Sequence, residues 1–250
     1  NRPESLNALD PDHLENLRAS ICEFRDDGAL RVAVLTGTGR AFSVGADLKN
    51  VAPPSRSFAA GYFASREESV EAGVYTRALL VGELGLTKPL IAAVNGFALG
   101  GGCEIALSAD LRVASGDASF GLPEARRASV PGLGGVSLLL RAIPRAVAMK
   151  MILTGDRIDA DTALRYGLVS DVYEPGALVE EALKLAYRIE SSGPLAVQAL
   201  KVLSGRTQEL PLSQSVELEQ LLWGLLRDTE DRKEGRVAFA ERREPHYQGR

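Results

Sequence analysis

Between Pro89 and Ala109 the chain carries one charge, Glu104, set just after three consecutive glycines. The segment opens as Leu90-Ile91-Ala92-Ala93-Val94, breaks at Asn95-Gly96, and resumes as an apolar stretch after Gly100-Gly101-Gly102. A run this apolar invites a membrane reading. Its glycines, Asn95 and a central acid argue against that, because an acid at mid-bilayer costs roughly 2.5–3.5 kcal/mol. A buried strand, a turn and a core helix fit the pattern instead. Glu104 then sits among Cys103, Ile105, Ala106 and Leu107. An enclosed acid has a raised pKa and can exchange protons near neutral pH.

The same strand-turn-helix grammar recurs. Asp10-Pro11 reads as a helix start, a capping carboxylate followed by proline at the first helical position. Leu14, Leu17, Ile21 and Phe24 follow at helical spacing. Leu30 to Thr36, Leu90 to Val94, Leu111 to Ala114 and Leu168 to Tyr173 read as short buried strands. Helices separate them, so the core is α/β. From Pro175 onward the pattern is helical: 177–190, 194–203, 212–227 and about 231–243. The chain thus divides into a core, 1–187, and a helical region, 188–250. Leu218, Leu221, Leu222, Trp223 and Leu225 give that region more apolar surface than a lone appendage buries, which marks a subunit contact. The stretch 52–86 has no distinctive motif, and Pro53-Pro54-Ser55 suggests an irregular loop.

Composition narrows the chemistry. At 250 residues there is material for one sizeable core and a smaller appendage. A net charge of −4, with a pI near 5.4, disfavours a surface that tracks nucleic-acid phosphates. RNA binding, the rival from a non-enzyme class, needs a basic cluster, and the six lysines are scattered. Retention on RNA at low salt, with release as salt rises, would reveal it. Two cysteines, Cys22 and Cys103, make no disulfide framework and fit a reducing, cytoplasmic setting. Cys103 has no neighbouring histidine in sequence and reads as a small core thiol. His13 and His246 lack metal-ligand spacing. Gly37-Thr38-Gly39 lacks the third glycine of a dinucleotide fingerprint, and no Walker-type lysine motif occurs.

Three glycine-bearing segments stand in order: Phe42-Ser43-Val44-Gly45-Ala46-Asp47-Leu48, Gly100-Gly101-Gly102-Cys103-Glu104 and Phe120-Gly121-Leu122-Pro123-Glu124. Glycine lets a ligand approach the backbone, and a helix N-terminus offers unpaired N–H groups to a developing oxyanion. With Asn1-Arg2-Pro3-Glu4-Ser5-Leu6-Asn7-Ala8-Leu9, Val130-Pro131-Gly132-Leu133-Gly134-Gly135, Leu153-Thr154-Gly155-Asp156 and Phe239-Ala240-Glu241-Arg242-Arg243, they resemble the crotonase, or enoyl-CoA hydratase/isomerase, family across the whole chain.

That resemblance implies an α/β fold, a crotonase-like (ClpP/crotonase) spiral of β-β-α units with a C-terminal helical trimerisation region, often stacked into hexamers. It implies reversible addition of water to a trans-2-enoyl-CoA, with CoA arriving as part of the substrate and no separate cofactor or metal. Ala46 and Gly101 match the family's two oxyanion-hole N–H donors. Glu104 and Glu124 match its hydratase acids, the first activating water for attack at Cβ and the second protonating Cα. Arg2, Lys49 and Gly132 are candidate substrate contacts, though Arg2 and Lys49 read equally as surface charges. Arg242 and Arg243 could reach a neighbouring subunit's CoA. A specialised hydro-lyase of the carnitinyl-CoA dehydratase kind, or a double-bond isomerase, are the alternatives within the family. Two departures, Val136-Ser137-Leu138 after Gly134-Gly135 and Ala128 where glycine is commoner, bear on the shape of the acyl pocket.

Overall fold

The computed structural model describes residues 1–49 and 84–250. The loop expected around Pro53-Pro54-Ser55 lies outside the described residues. Helix α1 (Pro11–Asp26) begins as its sequence dictates, with the Asp10 carboxylate accepting the His13 N–H. Leu14, Ile21 and Phe24 are buried along one stripe, and Leu17 packs partly against the same core.

Eight strands follow among the described residues: β1 (Ala33–Thr36), β2 (Ala41–Ser43), β3 (Leu90–Val94), β4 (Phe97–Leu99), β5 (Leu111–Ser115), β6 (Ser119–Gly121), β7 (Ile158–Asp159) and β8 (Asp171–Tyr173). They form two four-stranded sheets, ordered β1-β3-β5-β8 and β2-β4-β6-β7. Consecutive strands up to β6 alternate between the sheets, so each strand pair turns a corner. After β4 comes α2 (Gly101–Ser108), which completes a β-β-α unit. The result is the spiral that the resemblance implies. The pairings are parallel except β6 with β7. Asn95 stitches two corners together: its Oδ1 accepts the Gly37 N–H at 3.1 Å, and its Nδ2 donates to the Gly39 carbonyl at 2.9 Å.

The remaining helices are α3 (Gly135–Ala142), α4 (Arg145–Thr154), α5 (Ala160–Arg165), α6 (Leu178–Glu190), α7 (Pro194–Thr207), α8 (Leu212–Arg227) and α9 (Glu230–Glu241). Leu178, Ala182 and Ala186 of α6 cover one face of the larger sheet over Ile91, Ala93 and Val113. Its other face joins the main core. With both faces covered, β3 is wholly buried, which is why it reads as an unbroken apolar run.

Helix α7 runs on to Thr207 rather than ending at 203, and two strands start later than expected. The first strand starts at Ala33, whose N–H meets the Pro89 carbonyl, while Leu30 lies outside it and is exposed. The last strand starts at Asp171. Leu168 and Val169 are buried before it, and the Leu168 N–H closes on the Ala163 carbonyl at the end of α5. In the C-terminal region α7 packs on α8, yet Trp223 is 62% and Phe239 87% exposed. That region buries little of its own apolar surface.

Candidate active site

The start of α2 is built for close approach. Gly100 turns through φ +52°, its N–H tied to the Gly121 carbonyl at 2.9 Å. Loop 44–47 lies directly against it: a Cβ on Gly45 would stand 2.8 Å from both the Gly101 nitrogen and the Leu99 oxygen. Glycine at 45 is what allows the loop and helix to meet. Leu9 holds the loop from the other side, its N–H on the Gly45 carbonyl at 2.8 Å and its carbonyl on the Asp47 N–H at 2.9 Å. Gly45 and Asp47 are buried, whereas Ala46 between them is exposed. Neither the Ala46 nor the Gly101 N–H donates a backbone hydrogen bond among the described residues. Two amides without a backbone partner among the described residues therefore lie close together.

Glu104 sits in the first turn of α2 and is only 3% exposed. Its Oε1 accepts the N–H groups of Leu133, at 2.6 Å, and Gly135, at 2.8 Å. The seat is shaped by what is missing: a Cβ on Gly135 would press to 2.8 Å from the Glu104 Cγ. Burial raises the Glu104 pKa, and the amides of Gly135, Leu133 and Gly132 pull it back. Leu133 and Gly135 were legible only as part of the glycine motif; nothing in a sequence says which carboxylate a backbone amide will meet.

Glu124 opens a 3-10 turn, Glu124–Arg127. Arg126 anchors that turn to the end of α4, its Nε donating to the Thr154 carbonyl at 2.5 Å and its NH2 pairing with Asp156. The turn ends at Ala128, a non-glycine residue with φ +52°. Glu124 Oε1 faces Gly100, 3.0 Å from the position a Cβ there would take. Its Oε2 is buried with no hydrogen-bond partner among the described residues. Burial first, and the charge on Glu104 in addition, raise the Glu124 pKa. The fold thus brings Ala46, Gly101 with Glu104, and Glu124 to one place from three separate stretches of chain.

The other candidates are placed as follows. Gly132 is exposed beside the Glu104 seat. Lys49 is exposed, its backbone N–H on the Asp47 carboxylate. Arg2 has partners other than CoA phosphates: NH1 lies 2.8 Å from Asp10 and 3.0 Å from Asp47. Arg243 forks onto Glu234 at 2.6 and 2.9 Å and reaches Glu241, while Arg242 ends α9 in the left-handed conformation. Cys103 is fully buried, its thiol pushed up to about 12 by desolvation, which suits a core thiol. No helix among the described residues is long and apolar enough to cross a membrane.

Comparison with known proteins shows the family. The family model described as enoyl-CoA hydratase/isomerase matches residues 1–250. An (E)-benzylidenesuccinyl-CoA hydratase of Thauera aromatica is 48% identical over 250 residues, covering 100% of this chain and 93% of the relative. A carnitinyl-CoA dehydratase of Proteus mirabilis is 40% identical at the same coverage. Among solved structures, an enoyl-CoA hydratase from Bacillus anthracis superposes with a TM-score of 0.88 at 36% identity, covering 100% of this chain and 93% of that one. The chain belongs to the enoyl-CoA hydratase/isomerase family, with its crotonase fold.

Proposed function

We propose that this protein is a hydro-lyase that adds water reversibly across the double bond of a trans-2-enoyl-CoA, giving a 3-hydroxyacyl-CoA. The observation that carries the reading is the contrast between the two acids. Glu104 has an oxygen held by two backbone N–H groups, which favour its anion. Glu124 has a buried oxygen with no hydrogen-bond partner among the described residues, and burial together with the charge on Glu104 favours its neutral form. Burial raises both carboxyls; the one whose anion is held by backbone N–H groups is read as the base, and the one raised further by its neighbour's charge as the acid.

In this reading the Ala46 and Gly101 amides take the thioester oxygen, and CoA comes in as part of the substrate. Glu104, through the oxygen not held by Leu133 and Gly135, removes a proton from water as its oxygen bonds to Cβ. The π pair moves to Cα and the carbonyl becomes an enolate, stabilised by the two amides. Glu124 then delivers its proton to Cα. Run backwards, the same groups eliminate water.

Loss of the conjugated-thioester absorbance across a panel of trans-2-enoyl-CoA substrates tests this. We expect hydration of at least one acyl type, ranked by kcat/KM. Absence of hydration throughout, alongside efficient isomerisation of a 3-enoyl-CoA, would replace it with the isomerase reading.

Assembly is the second part of the proposal. Leu212, Leu221, Trp223, Leu225 and Phe239 are all at least 60% exposed in the single chain. Apolar area of that extent fits a closed homo-oligomer, for which the family resemblance specifies a trimer or a dimer of trimers. Light scattering should give three or six times the 26.7 kDa chain mass. An active monomer at assay concentration would overturn this.

A further inference from the structure

We propose that Arg2 is a positioning residue for the Ala46 amide, acting by stapling the two segments that fix that amide's direction. The proposal rests on the oxyanion reading of Ala46. One segment is the turn leading into α1; the other is loop 44–47. Leu9 and Ala46 form a parallel bridge in which Leu9 bonds to Gly45 and Asp47, the residues flanking Ala46. In such a bridge the intervening residue's N–H points away from the bonded strand. The Ala46 amide is therefore directed away from Leu9 by contacts that it does not itself make.

Two short hydrogen bonds leave that aim dependent on keeping the segments in register. Arg2 supplies the register. A single guanidinium nitrogen, NH1, spans Asp10, next to Leu9, and Asp47, next to Ala46. Asp47 is 6% exposed, so the contact is made where solvent screens it little. Arg2 is itself fixed, its N–H on Asn7 Oδ1 at 2.8 Å and its carbonyl accepting the N–H groups of Ser5 and Asn7. Asn7 in turn donates to the Ala41 carbonyl at 2.7 Å, and the Val44 N–H reaches the Leu6 carbonyl. Residues 2–10 thus lace the whole approach to loop 44–47, with the guanidinium closing the end that carries the amide. A lysine side chain is one bond shorter than arginine's, so its nitrogen should not reach both carboxylates at once.

The test uses the full-length protein and a conjugated arylenoyl-CoA thioester as a chromophoric probe. Two N–H groups on the thioester oxygen draw electron density along the conjugated system and move its absorbance to the red. We expect Arg2→Gln to bind the probe with little change in affinity, to lose much of the red shift, and to lower kcat on the order of tenfold. Arg2→Lys should be intermediate in both. A merely structural role would lower Tm without moving the spectrum of the probe bound to folded protein. If Arg2→Gln fails to fold, folded Arg2→Lys decides, because a wild-type red shift there would refute the staple. Lost probe affinity with the red shift intact would return Arg2 to a CoA contact. Failure of the wild-type protein itself to shift the probe would sink the oxyanion reading, an outcome distinct from failure of the staple.

Discussion

Glu104→Gln and Glu124→Gln are each expected to lower kcat by roughly 10² to 10⁴-fold, with CoA affinity little changed. Glutamine keeps size and hydrogen-bonding shape but cannot exchange a proton. The variants should differ in stability. The Glu124 carboxyl titrates above its ordinary value because it is buried near another acid. Between the unfolded and folded pKa values the native state holds a proton that the unfolded chain has released. Stability is therefore lost as pH rises through that window. Glu124→Gln has no such loss and should melt at a higher temperature than wild type at neutral pH. The difference should vanish in acid below both pKa values. At Glu104 the burial penalty is partly offset by backbone N–H groups that prefer an anion, so its variant should gain less. Steady-state kinetics and melting curves across pH check both halves. Near-wild turnover in either variant would remove that residue from the chemistry.

Glu104, Glu124, Ala46 and Gly101 could be singled out in the sequence because they sit in local patterns that resemble the family's. Three glycines before a helix, and an acid after Leu-Pro, keep their meaning wherever the chain goes. The Asp10-Pro11 start and the apolar β3 run were legible for the same reason. The second sheet was not: β2, β4 and β6 have three residues each and β7 has two, too few for a period to show. These strands exist because the corners after β1, β3 and β5 bring them into pairing, and that is a property of the whole spiral. Charged residues hide their partners too. Arg2 read equally as a phosphate contact or a surface charge, and only the fold puts Asp10 and Asp47 around its guanidinium. The clamp of Arg126 on the end of α4 likewise joins residues far apart in the chain.

Ala46→Pro is expected to lower kcat by roughly 10² to 10³-fold, the usual consequence of deleting one oxyanion donor. The side chain at 46 is not the agent, so alanine could be exchanged for other small residues with modest effect. Proline removes the N–H itself. The position suits that test because the Ala46 amide makes no backbone hydrogen bond among the described residues, so its deletion breaks no ladder. The bonds that hold the loop belong to Gly45 and Asp47 and survive the substitution. Proline also restricts the preceding residue, and Gly45 has φ +83°, so a shift of the loop must be measured separately. Circular dichroism and affinity for the arylenoyl-CoA probe report on that shift. The decisive signature is a folded variant that binds the probe without its full red shift and turns over slowly. Gly101 would still supply the second donor, so some catalysis should remain, and losing Glu104 or Glu124 in the same protein should lower it further. A folded Ala46→Pro enzyme with wild-type kcat and an unchanged probe spectrum would show that this N–H faces away from the thioester, and the staple inferred for Arg2 would then have no amide to aim.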